Sequence, residues 1–114
     1  MSREALAVYR NGACVHACDR REARARMQFA YVAKMDGILD KGIELDGEFI
    51  RRPDEQQRLR YMIGEVVDAV LRNDTRMLDM LGRWLVQRVP RLDAIRIEDA
   101  GAELDVRLSF SDEG

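Results

Sequence analysis

The residues best equipped for chemistry are crowded into one stretch. Both cysteines and the single histidine lie within ACVHACD, at Cys14, His16 and Cys18. Residues of these types bind transition metals or exchange disulfides, and their spacing decides whether they can do either. Just before them, Asn11-Gly12 separates two β-prone runs in LAVYRNGACVHA. That dipeptide is a strong hairpin signal, because a type I′ turn needs φ > 0 at both central residues. Folding about it sets Arg10 opposite Ala13, Tyr9 opposite Cys14, Val8 opposite Val15, and Ala7 opposite His16. Leu6, Val8, Val15 and Ala17 then form the natural core face, and Tyr9, Cys14, His16 and Cys18 point away from it.

On such a strand, residues four apart stand about 13 Å from each other at Cα. A zinc–sulfur bond is about 2.3 Å long, so Cys14 and Cys18 cannot share an ion. Nor can they form a disulfide, whose Cα atoms lie within about 7 Å. Cys14 with His16, or His16 with Cys18, is feasible as a pair, but a pair is half a zinc site unless a second subunit supplies the rest. The expectation is small side chains on a partly covered face, with no metal and no cofactor. The alternative is a metal- or thiol-dependent sensor built on Cys14, His16 and Cys18.

Other candidates carry less. DRREARAR places Arg20, Arg21 and Arg24 at the start of a helix, where cations oppose the dipole but can hold a phosphate or a partner's carboxylates. No glycine-rich loop or Walker-type lysine accompanies them. A solvated face with salt bridges is the plainer reading. Asp36, Asp40, Glu44, Asp46 and Glu48 cluster in sequence without calcium-loop spacing, and read as a solvated loop. Ser2, Ser109 and Ser111 lack a nucleophile-elbow context. The sequence carries no enzyme signature.

These residues must be positioned by a small set of elements. AIRIEDAGAELDVRLSF alternates apolar and polar residues and reads as a C-terminal hairpin. IELDGEFI has an Asp-Gly turn between very short arms, and fits a hairpin or a loop. Three helices lie between. Asp19 and Glu22 make a capping box that opens a helix reaching about Asp40. Pro53 suits the first position of a second helix, carrying Leu59, Met62, Ile63, Val66, Val67, Val70 and Leu71. Asp74 caps a third, carrying Met77, Leu78, Leu81, Leu85 and Val89 and ending at Val89-Pro90. Antiparallel hairpins at the two ends should form a sheet with three helices on one face, a two-layer α+β domain spanning residues 1–114.

At 114 residues the chain is one domain's worth. Apolar residues make up 46% and charged residues 35%, which argues against disorder. Net charge is −2, so no general attraction to nucleic acid is expected. No apolar run approaches the ~20 residues that a membrane crossing needs. With no leader visible behind Met1, and two cysteines read as free thiols, the expected location is the cytoplasm.

The helix faces are the more informative feature. Tyr31, Met35 and Ile38 on the first helix, and Met80 and Trp84 on the third, widen the apolar stripes beyond what one packing contact needs. Trp and Met are enriched at interface cores. These five residues are the expected partner-binding set. The expected partner is another protein: a second copy of the chain, as a homodimer, and an unidentified cellular protein besides. A regulator, assembly factor or accessory subunit fits, and a small-ligand binder is a second alternative.

Overall fold

The computed structural model describes residues 5–25 and 29–111. The element order is β1 (Ala5–Arg10), β2 (Ala13–Asp19), α1 (Arg20–Ala25), α2 (Phe29–Asp40), β3 (Ile43–Leu45), β4 (Glu48–Ile50), α3 (Glu55–Leu71), α4 (Thr75–Arg88), β5 (Leu92–Ala100) and β6 (Glu103–Phe110). The fold is α+β. A four-stranded sheet of order β2-β1-β5-β6 carries the helices, and β3 and β4 pair separately. The two terminal hairpins are antiparallel, as their alternation implies, but β1 and β5 join them as a parallel pair, so the sheet is mixed.

The turns follow their residue chemistry. Asn11 and Gly12 have φ of 51° and 86°, and Asp46 and Gly47 have 53° and 79°. Both dipeptides therefore take the paired left-handed conformation of type I′ turns, and IELDGEFI is a hairpin rather than a loop. Asn11 also fastens the first turn to β5. Its backbone N–H donates to the Ile97 carbonyl at 2.8 Å, and its side-chain oxygen accepts from the Asp99 N–H at 2.8 Å.

The helix starts depart from expectation in detail. Asp54, not Pro53, stands at the boundary of α3. Its carboxylate accepts from the Gln57 N–H at 2.8 Å, and the Gln57 side chain accepts from the Asp54 N–H at 2.9 Å. This reciprocal capping box puts Pro53 one position ahead of the cap. Asp74 caps α4 by accepting from the Met77 N–H at 3.1 Å. Asp19 accepts from the Glu22 N–H at 2.8 Å at the start of α1. Of the helix expected from Asp19 to about Asp40, α1 and α2 are helical, and residues 26–28 between them lie outside the described residues.

α4 is the centre of the helical layer, touching α1, α2, α3 and β2. Its Leu78, Leu81, Trp84, Leu85 and Val86 are buried together with Leu6 and Val8 of β1, Ile95 and Ile97 of β5, and Met62, Val66 and Val70 of α3. Removing so much apolar surface from water is the main favourable term holding the layers together. α2 is not covered all round. Val32 and Leu39 are buried, whereas Ala30, Ala33 and Ile38 are exposed.

Candidate functional site

The Cys-His-Cys stretch forms the predicted strand, but not in the predicted register. Tyr9 pairs with Cys14 and Val8 pairs with His16, so Val15 is left over as a β-bulge. One extra residue moves everything beyond it to the opposite face. Cys18 pairs with Leu6 and is buried, whereas Val15 is 40% exposed. The expectation that Cys18 points away from the helices is therefore overturned, and so is the core placement of Val15 and Ala17.

The bulge makes sense against α4. Gly82 faces β2 so closely that a Cβ placed on it would lie 3.1 Å from Cys18 Cβ and 3.2 Å from Sγ. Helix and strand thus meet across a glycine and a small side chain. Burial, with Asp79 adding to it, pushes the Cys18 thiol up to about 11, so it stays protonated at neutral pH. Cys14 remains exposed on the outer face, with Sγ 3.5 Å from the His16 carbonyl oxygen. His16 is half-buried on the helix side, and its Nε2 has no hydrogen-bond partner among the described residues. The three groups are thus split between two faces. Among the described residues no group of three or more His, Cys, Asp or Glu side chains is placed to hold a metal ion.

The arginines are also split. Arg20 is 5% exposed and donates to the carbonyl oxygens of Pro90, at 3.1 Å, and Leu92, with Asp93 at 3.4 Å. Asp93 is itself the odd residue of a bulge in β5, since Leu92 pairs with Phe110 and Ala94 with Ser109. Arg20 therefore ties α1 to the start of β5 through these carbonyls and Asp93, and its buried guanidinium is not open to an external anion. Arg21 is exposed, and the side chain of Arg24 lies outside the described residues.

The partner-binding set fares differently. Tyr31, Met35, Ile38 and Met80 line one groove of about 320 Å³ between α2, α3 and α4. Tyr61, Glu65 and Met77 complete its walls, and Lys34 lies on its rim. Three of the six methionines of the chain are gathered there. Ile38 is 49% exposed at its mouth. Burial pushes both phenols above the usual tyrosine range, with Glu65 adding to the effect at Tyr61 and Arg83 opposing it at Tyr31. Each therefore remains a hydroxyl donor at neutral pH. The lining is apolar, adaptable and edged by one cation and one anion.

Trp84 does not belong to that groove. It is 3% exposed, and its indole N–H donates to Asp36 Oδ1 at 2.9 Å. Arg88 donates to the other oxygen of Asp36 at 2.7 and 2.9 Å. Trp84 is covered within its own chain, so the idea that a partner must cover it falls away. Asp36 is therefore a part-buried acceptor and not the solvated acid that its neighbours in sequence imply. Its spacing from Trp84 and Arg88 is long-range, and no local pattern announced the pairing. The three residues floor a wider cleft of about 650 Å³ that Pro53, Asp54, Arg58 and Leu59 help to line. Its charges are largely committed, since Arg58 binds Asp40 at 2.5 Å and the Pro53 carbonyl at 2.9 Å.

Comparison with protein-family models, with curated proteins and with solved structures returns no match. No helix among the described residues is long and apolar enough to cross a membrane.

Proposed function

We propose that this chain is a protein-interaction module whose partner-binding surface is the groove between α2, α3 and α4. The observation that carries the reading is the convergence of Tyr31, Met35, Ile38 and Met80 with Tyr61 and Met77 in a single apolar groove. Methionine side chains adapt their shape to a partner, and tyrosine adds large contact area with a polar tip. An amphipathic helix fits such a groove, placing its apolar stripe inside and its charged flanks against Lys34 and Glu65. The module would act as a regulator, an assembly factor or an accessory subunit, within the cytoplasm, and with no cofactor.

The test is retention of a cellular partner by the immobilised chain. Ile38→Glu and Met80→Glu each put a charge into the groove and should abolish retention, because an unpaired charge is costly to bury in an interface. Gln56→Glu, at an exposed position of α3 outside the groove lining, should leave it unchanged. Equal retention by all four proteins would refute the assignment.

The sensor reading loses support from the split of Cys14 from His16 and Cys18, and from the raised Cys18 thiol. The small-ligand reading has the cleft above Asp36 and Arg88 as its best location.

A further inference from the structure

The sheet has two edges, and they differ. β2 at one edge is broken by the Val15 bulge, a device that discourages pairing with another strand. β6 at the other edge runs for eight residues from Glu103 to Phe110, with no proline. Leu104 and Phe110, near its two ends, are 47% and 48% exposed.

Bonds on the far side of β5 show which groups of β6 face the open edge. Ile97 and Asp99 turn their carbonyl and N–H toward the Asn11 turn, at 2.8 Å each. Their partners across β5–β6 are Val106 and Leu104. In an antiparallel ladder the residues of one strand alternate between its two neighbours. Asp105 and Arg107 therefore bond to β5, while Leu104, Val106, Leu108 and Phe110 present their N–H and C=O groups outward.

We infer that β6 is a self-pairing edge, at which a second copy of this chain adds its own β6 antiparallel to form a continuous eight-stranded sheet. A two-fold axis normal to the sheet keeps both helical layers on one side and sets only residues of like parity opposite each other, so it passes through a residue. Centred on Arg107, it would oppose two arginines; centred on Asp105, two aspartates. Like charges directly opposite are unfavourable. Centred on Val106, it sets Asp105 against Arg107 of the other copy, twice. It also sets Leu104 against Leu108, twice, on the helix side. Asp105 and Arg107 lie in non-hydrogen-bonded positions for this pairing, where opposed side chains come closest. Within one chain the two already form an ion pair at 2.9 Å, so the dimer would join four charges in one alternating cluster.

This inference is independent of the helical groove. The experiment is sedimentation equilibrium of the full chain from micromolar concentration upward. The wild type should show a monomer–dimer equilibrium. Arg107→Asp and Asp105→Arg should each weaken it about tenfold, since each reverses both symmetric pairs. The double exchange, Asp105→Arg with Arg107→Asp, should restore it, because the opposed charges are again unlike. Both residues are exposed, so folding is preserved, and circular dichroism of each variant verifies that. A monomeric wild type would overturn the inference. So would a dimer indifferent to the single changes, or one that the double exchange fails to rescue.

Discussion

At the scale of single residues, burial decides what each chemical group can do. Cys18 and Cys14 are both free thiols, yet one lies under α4 and the other in solvent. In the folded protein a thiol reagent should modify Cys14 rapidly and Cys18 only at the rate of unfolding, because the thiolate is the nucleophile. Equal rates for the two would show that α4 does not cover Cys18. The same burial sets a pH dependence. The thiol titrates near 9.0 when unfolded and about 11 when folded. Above pH 9 the unfolded chain loses the proton while the folded chain keeps it, so stability falls as pH rises. The contribution is complete below pH 9 and gone by pH 11, and amounts to about 2–3 kcal/mol. Denaturation of Cys18→Ala over this range should show that much less loss, with Tyr31 and Tyr61 titrating alike in both proteins.

Asp36 poses a related test. Replacing it with alanine leaves the buried Trp84 N–H without its acceptor, which costs about 1–3 kcal/mol. Asp36→Asn keeps an oxygen in place and should cost less. Urea unfolding followed by the fluorescence of the sole tryptophan reads both. An unchanged midpoint in Asp36→Ala would mean that the bond to Trp84 contributes nothing net. Neither this bond nor the links of Arg20 to Pro90 and Leu92 was visible in the sequence, because each joins residues 48 to 72 positions apart. Sequence periodicity reports a residue's own element, not the element it meets.

At the scale of elements, local rules served well and failed where a strand departs from regular pleating. The Asn-Gly and Asp-Gly turns, the Asp74 cap and the apolar stripe of α4 all follow from residues within a few positions of each other. The Val15 bulge does not. A bulge adds one residue without altering the composition of the strand, and it reversed the faces of His16 and Cys18. Helix α4 holds that arrangement through Gly82. Alanine is a better helix former than glycine by about 1 kcal/mol. Even so, Gly82→Ala should lower stability by about 1 kcal/mol or more, because the added methyl meets Cys18 Cβ at 3.1 Å. A rise in melting temperature would show that β2 and α4 can move apart freely.

At the scale of the whole molecule, the fold separates two surfaces with different physical characters. The α2–α3–α4 groove is lined by adaptable side chains, whereas the β6 edge offers backbone groups in fixed register. A chain joined to its copy at β6 would still present two grooves, both on the helical side of the extended sheet. The apolar excess of Tyr31, Met35, Ile38 and Met80 was legible in their helical spacing, and the groove is where the fold collects it. Trp84 showed the same excess and is spent on the core, since its indole found Asp36 within the chain. Spacing identifies a surplus of apolar surface, and only packing shows which part of it remains open.

The most direct measurement of the groove's role is photo-crosslinking in the native cell, from a probe side chain introduced at position 38 and, as control, at the exposed position 56. Position 38 should give one dominant adduct with a different protein, absent from position 56. Its yield should fall when Met80→Glu is added. No adduct at position 38, or the same adducts from both positions, would contradict the claim that this groove is where the protein meets its partner.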